Sequence, residues 1–265
     1  MLADQPMNNT RHHTSMKTLQ EATMSSLNFD GEYGQSYAKS IRNSVPGYDV
    51  LHEIALAAVN NEASGSSQVL VVGPGPGEEL PNLLKACPKA ELTVLEPSEQ
   101  MLSFCTQTIS NVAGSERCTL IQGELDQTML DKLHPVRWDL VICHNVLHLF
   151  EADKQISLLR LLGQCTADDG RLILSGYSEP ADEDTTQRMM AIGLQRLQNR
   201  GVNQEQIKAI RSSRNKVVFS VDSQRVSTVL ADEGMAPALL LYQGLFSKLW
   251  ICTRHGNANA GTDGA

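Results

Sequence analysis

VLVVGPGPGEEL, residues Val69–Leu80, decides how this chain is read. Val69–Val72 is an unbroken apolar run, the pattern of a strand buried on both faces. It breaks into Gly73, Gly75 and Gly77, and a helix is predicted from Glu78. Glycines at a strand-to-helix turn let the main chain pass close to a bound molecule with no Cβ between them. A second apolar run, Leu92–Leu95, ends in Glu96 and Pro97. A carboxylate at a strand end roughly 20 residues after such a turn suits the two hydroxyls of a ribose.

Two familiar nucleotide loops do not fit. A dinucleotide fingerprint needs G-x-G-x-x-G, and here the third glycine comes one residue early, at Gly77. A P-loop needs Gly-Lys-Ser/Thr, which is missing. Glu78 and Glu79 at the helix start would repel a pyrophosphate. S-adenosylmethionine meets no such objection: it has ribose and adenine, a cationic sulfonium, a zwitterionic tail and no phosphate. The order strand, GxGxG, helix, strand, Glu resembles class I methyltransferases. That resemblance implies an α/β fold with a Rossmann-like sheet of parallel strands and a terminal antiparallel hairpin strand, carrying a helical lid and insert. It also implies that Gly73, Gly75, Gly77, Glu96, Pro97 and Met101 surround the cofactor.

Size and composition narrow the partners. A chain of 265 residues holds one large domain or two small ones. Its 20% charged and 41% apolar residues are an ordinary globular balance. A net charge of -8 disfavours a general nucleic-acid binder, which needs a basic face, although Lys208, Arg211, Arg214 and Lys216 cluster in sequence. Six cysteines without a C-x-x-C pair read as reduced, mostly buried thiols, and no metal is expected. No apolar run reaches membrane-spanning length, and the first residues have no signal-peptide core. These features predict a soluble cytoplasmic protein with a small-molecule partner, and neither DNA nor a membrane.

The organisation follows. Residues 1–28 and 255–265 read as loose polar tails, and residues 29–254 as one domain. Lid helices are expected over 29–62, with a break near Pro46-Gly47. Strands are expected near 68–72, 91–95, 118–122, 138–144 and 170–175 with helices between them, the rhythm of a parallel sheet. A polar helical insert over 180–216 and a helix near Ser223–Glu233 follow. ALLLY and LFSKLWIC, separated by Gln243 and Gly244, predict a hairpin.

Ligands in open α/β sheets sit beyond the carboxyl ends of the strands. WDLVICHNVLHLF (Trp138–Phe150) resembles the fourth methyltransferase motif and brings His144, Asn145 and His148 to such an end. His144 is read as contacting cofactor and as a general base, Asn145 as catalytic, and His148 as substrate-binding or packed against the next helix. IQGELD (Ile121–Asp126) offers Gly123, Glu124 and Leu125 beside the adenine, whose amino group Glu124 or Gln122 would accept. Tyr177 in SGYSE is read as catalytic, offering a hydroxyl and a π-face to a sulfonium or cationic substrate, or as a ring capping the sheet.

SYAKSIRNSVPGYDVLHEI (Ser36–Ile54) places Tyr37 and Tyr48 on a lid before the first strand. Its Ser-Val-Pro-Gly-Tyr resembles the same pentapeptide in bacterial carboxy-S-adenosylmethionine synthases. The insert, Arg211-Ser212, a helix opening at Asp222-Ser223 and the closing hairpin fall in a similar order. The resemblance implies that Tyr48 and Arg211 face the cofactor's carboxylated end or a substrate carboxylate, and that the insert is a candidate homodimer interface. The chain departs from that family at Pro74, Pro76 and His144. The leading expectation is a small-molecule methyltransferase. The alternative is an enzyme that converts S-adenosylmethionine itself, by cyclisation to azetidine-2-carboxylate with release of methylthioadenosine or by formation of carboxy-S-adenosylmethionine. A cofactor-binding subunit without activity is the third reading.

Overall fold

A computed structural model describes residues 27–134 and 136–256; the tails expected over 1–28 and 255–265 lie almost wholly outside the described residues. The elements in order are α1 (Glu32–Ser44), α2 (Tyr48–Glu62), β1 (Gln68–Val72), α3 (Leu80–Ala86), β2 (Glu91–Glu96), α4 (Glu99–Ile109), β3 (Cys118–Gln122), α5 (Gln127–Leu133), β4 (Trp138–His144), α6 (Ala152–Cys165), β5 (Thr166–Tyr177), α7 (Glu183–Asn199), α8 (Gln204–Ser213), α9 (Ser223–Asp232), β6 (Leu239–Gly244) and β7 (Ser247–Thr253).

The strands form one sheet in the order β3-β2-β1-β4-β5-β7-β6, with only β7 running against its neighbours. Alternation along β1 explains the two-sided burial. Leu70 and Val72 enter one core with α6 and α9, while Val69 and Val71 enter the other with α2, α3 and α4. The chain leaves β1 in one direction across the sheet and returns through β4 in the other. A crevice therefore opens at the carboxyl ends of β1 and β4.

The hairpin forms, with a shifted turn. Gln243 and Gly244 belong to β6, and Leu245-Phe246 makes the turn, with Leu245 at φ 53°. Antiparallel pairing of Gly244 with Ser247 holds Gly244 in the strand, which outweighs its local turn preference. The insert is helical, and is split into two helices, α7 and α8.

The lid is tied down from two sides. Pro46 and Gly47 separate α1 from α2, and Gly47 sits at φ 69° as the residue before α2. Tyr242 Oη donates to Pro46 O at 3.1 Å. Arg196 on α7 donates to Asn43 O at 2.7 Å, and Arg200 to Asn43 Oδ1 at 3.1 Å, so the insert holds the end of α1.

A Cβ at Gly47 would overlap the Tyr242 hydroxyl and sit on a left-handed backbone. Gly47→Ala is expected to lower stability by about 1–3 kcal/mol in urea unfolding. Gly65→Ala, where a Cβ meets open space, should change it by less than about 0.5 kcal/mol. Equal effects of the two would show that the lid turn is not constrained in this way.

Candidate active site

The crevice deepens into a cavity of about 820 Å³. Its walls come from β1 (Val72 and the turn at Gly73 and Gly75), β2 (Leu95, Glu96), the loop after β3 (Gly123, Glu124, Leu125) and the end of β4 (His144, Asn145, Val146). The lid contributes Tyr37, whose ring lies 3.6 Å from where a Gly75 Cβ would be and edge-on to Phe29 at 5.8 Å.

Glu96 is the organising group. Only 5% exposed, its carboxylate accepts from Gly75 N–H and from Ser98 N–H, both at 3.0 Å. The carboxylate thus ties the glycine turn to the start of α4. Burial pushes it up to about 7, against the lowering effect of those two N–H bonds. Ser98 caps α4 by accepting from Met101 N–H, and its hydroxyl donates to Asp30 at 2.6 Å. Asp30 also accepts from Gln100 N–H, and its carboxyl is held low, chiefly by the Ser98 bond. Leu27, Asn28, Phe29 and Asp30 are therefore cavity residues that sequence reasoning missed, the first two read as part of a loose tail and the last two as lid residues without a site role. The available signal was Phe-Asp directly before the lid helix.

At the end of β4, His144 is 8% exposed and its Nδ1 lies 3.2 Å from Ser175 Oγ. Burial first, and the neighbouring His52 second, hold it well below the ordinary histidine range, so it is neutral at pH 7. Asn145 stands at φ 58°, a left-handed conformation that asparagine tolerates better than most residues, with its N–H shared between Ser175 O and Oγ. Strained backbone of this kind concentrates at ligand-binding sites.

Glu124 crosses the cavity to Lys154 Nζ at 2.9 Å, and Lys154 also lies over the Phe150 ring. Pro97, Met101, Leu125, Val146, Leu149 and Phe150 give the cavity an apolar stretch of wall. Among the described residues no His/Cys/Asp/Glu group is arranged to hold a metal.

The structure gathers Tyr37, Gly73, Gly75, Glu96, Pro97, Met101, Gly123, Glu124, Leu125, His144 and Asn145 around this cavity. Five expected residues stand elsewhere. Tyr48 is turned away by Gly47 into a second, smaller cavity, where it packs on His52 and under Arg42. A Gly77 Cβ would meet Leu80 and Cys105, so this glycine serves packing of the turn against α4. Tyr177 donates to Glu179 and packs on Phe246. His148 accepts from Tyr177 N–H at 3.4 Å inside the protein, its imidazole driven down to about 4 by burial. Arg211 is exposed on α8, while Arg214 makes the buried-side contacts, pairing with Glu179 and Glu183.

Comparison with known proteins follows this geometry. Residues 70–172, from β1 into β5, match the model of a family described as Methyltransferase domain. Among solved structures, an O-methyltransferase family protein from Burkholderia thailandensis is similar at 14% identity and TM-score 0.58, over 84% of this chain and 68% of that one. Magnesium protoporphyrin IX methyltransferase from Synechocystis PCC 6803, solved with bound S-adenosylhomocysteine, is similar at 15% identity and TM-score 0.57, over 85% and 96%. Human N-acetylserotonin methyltransferase in complex with S-adenosylmethionine is similar at 17% identity and TM-score 0.52, over 79% and 53%. At these identities the likeness shows the fold. No curated protein matches the sequence.

The residues present fit S-adenosylmethionine. The buried Glu96 carboxylate keeps acceptor capacity for ribose hydroxyls beyond its two N–H bonds. The glycine turn and the apolar residues line the same cavity as this carboxylate.

The folded value of Glu96 lies above the ordinary 4.5, so the folded chain holds a proton that the unfolded chain releases. That contribution to stability is full below about pH 4.5 and is lost as pH rises through about 7. Relative to Glu96→Gln, the wild type should lose on the order of 1–3 kcal/mol between about pH 5 and 8 in urea unfolding. Parallel pH profiles would show that the carboxyl is not perturbed.

Proposed function

We propose that the protein is an S-adenosylmethionine-dependent transferase that methylates a small molecule. The observation that carries this reading is the large cavity at the switch between β1 and β4, with a buried carboxylate at the end of β2 and a methyltransferase domain over the strands that build it. S-adenosylmethionine supplies a methyl group on a sulfonium that leaves readily. In this reading Glu96 accepts from the ribose hydroxyls, Gly73 and Gly75 leave space beside the amino-acid tail, and Met101, Leu125 and Phe150 enclose the adenine. Tyr37 and Phe29 cover the site and exclude water. Asn145 positions the acceptor, and neutral His144 takes its proton, a role its depressed basicity suits only when the acceptor is itself desolvated. Methyl transfer then depends mainly on orientation.

A small acceptor rather than a nucleic acid is favoured by the net charge of -8. Six free cysteines fit a reducing compartment such as the cytoplasm. Tyr48 and Arg211, the pair through which the chain resembles carboxy-S-adenosylmethionine synthases, stand apart from the cavity, so methyl transfer is the reading retained.

The test is incubation of the purified protein with S-adenosylmethionine alone and with small-molecule cell extract, followed by mass spectrometry. The expected result is intact cofactor alone, and with extract S-adenosylhomocysteine plus a product heavier by one methylene. Methylthioadenosine formed without extract would overturn methyl transfer in favour of self-conversion. Glu96→Gln should weaken S-adenosylhomocysteine binding by about 10-fold or more in calorimetry.

A further inference from the structure

Leu27, Asn28, Phe29 and Asp30 line the large cavity although they lie ahead of α1, in no helix or strand. Their place is fixed from α4. Asp30 Oδ1 accepts from the Ser98 hydroxyl at 2.6 Å and from Gln100 N–H at 3.0 Å. Gln100 Nε2 donates to Gly31 O at 3.2 Å. Two successive residues of the segment are thus bonded to the first turn of one helix. The fit is close as well: a Cβ on buried Gly34 would overlap Phe29 O and crowd Gln100 Nε2. Donation to a carboxylate makes the Asp30 bonds charge-assisted, and the Ser98 bond, foremost, holds its carboxyl below the usual range.

The other end of α1 is tied to a different loop. Arg42 donates to Glu78, directly after the glycine turn, at 2.9 and 3.2 Å. The helix therefore runs from the loop after β2, where Ser98 stands, to the loop after β1. Between these anchors Tyr37 faces the cavity, with the Phe29 ring edge-on at 5.8 Å. Ser98 joins this cover to the floor of the site. Its N–H donates to Glu96 at 3.0 Å and its hydroxyl to Asp30. One residue thus links the carboxylate that receives the glycine turn to the carboxylate that holds the two aromatic rings in place.

We propose that Asp30 is a positioning residue that fastens Phe29 and Tyr37 over an adenosyl ligand held by Glu96. The inference rests on the proposed cofactor. Asp30 acts through Ser98, Gln100 and the two rings, not on the reacting atoms. Release of the ligand requires the rings to lift, and lifting breaks the bonds of Asp30 to α4. The residue therefore governs dissociation far more than association. Arg42, bonded to Asp49 as well as Glu78, keeps the far end of α1 in place while the near end opens.

Two measurements on the full chain test this. Surface plasmon resonance gives association and dissociation rates for S-adenosylhomocysteine, and hydrogen exchange reads the amides from Phe29 to Tyr37 in the ligand-free protein. Asp30→Ala is expected to speed both that exchange and ligand dissociation by about 10-fold, with association within about twofold of wild type. Asp30→Asn keeps an oxygen acceptor and should restore most of the wild-type dissociation rate. Ser98 still caps α4 in both variants, so the urea midpoint should stay close to wild type. A purely structural Asp30 would instead lower that midpoint and leave dissociation where it is. A dissociation rate in Asp30→Ala within about twofold of wild type would overturn the proposal, whatever exchange shows. If the wild type binds neither S-adenosylhomocysteine nor methylthioadenosine, the cofactor reading fails. Faster exchange in Asp30→Ala would then leave Asp30 standing as the fastening of the cover, and unchanged exchange would remove that too.

Discussion

The buried carboxylate of Glu96 is the point on which the upper half of this molecule turns. One oxygen receives the N–H of Gly75 and the other the N–H of Ser98. Ser98 in turn caps α4 and donates to Asp30, which brings the segment before the lid onto the same helix start. A single side chain at the end of β2 thereby sets the glycine turn, the entry of α4 and the docking of the N-terminal segment. A charge so deeply placed is costly unless hydrogen-bonded, and the two N–H donors offset only part of the cost, leaving the carboxyl near neutrality in its proton affinity. Such a group is poised to gain from further donors.

The same economy appears across the sheet at β4. His144 and Asn145 end the strand where the chain must leave the sheet, and both are pinned to Ser175 on β5. Parallel register between β4 and β5 puts His144 opposite Ser175, so the imidazole orientation is a consequence of strand pairing and not of the loop. The lid is governed from further away: Tyr242 on the last hairpin and Arg196 and Arg200 on the insert all grip the stretch from Asn43 to Pro46. Segments late in the chain therefore decide how the first helices close over the crevice.

Much of this was legible in residues alone. The five parallel strands, the lid break at Pro46-Gly47 and the helical character of the insert follow from hydrophobic period and turn residues, because each is a local preference that the tertiary fold does not oppose; the hairpin was legible too, but strand pairing moved its turn to Leu245-Phe246. Gly73, Gly75, Glu96, Gly123 and Asn145 were legible for the same reason: each sits at a strand end, and strand ends in such a sheet share one edge of the molecule. Tyr48 misled because sequence proximity to the lid says nothing of which way a ring points after a left-handed glycine. Tyr177 stands outside the cavity with a partner in Glu179, and His148 takes the packed one of its two expected places, accepting from the Tyr177 N–H. Asn28, Phe29 and Asp30 were overlooked because a short polar segment acquires its place only through Ser98 and Gln100, about 70 residues away.

By itself the sequence determined the sheet, its doubly covered core and the position of a carboxylate beyond a glycine turn, since strand period and turn chemistry are written in neighbouring residues. Tertiary structure alone decided the rest: that Glu96 is shared between two loops, that His144 separates two cavities, and that His52 meets it with an unpartnered nitrogen. Those facts depend on burial and on contacts between residues far apart in the chain, where desolvation and pairing are set by the packed whole.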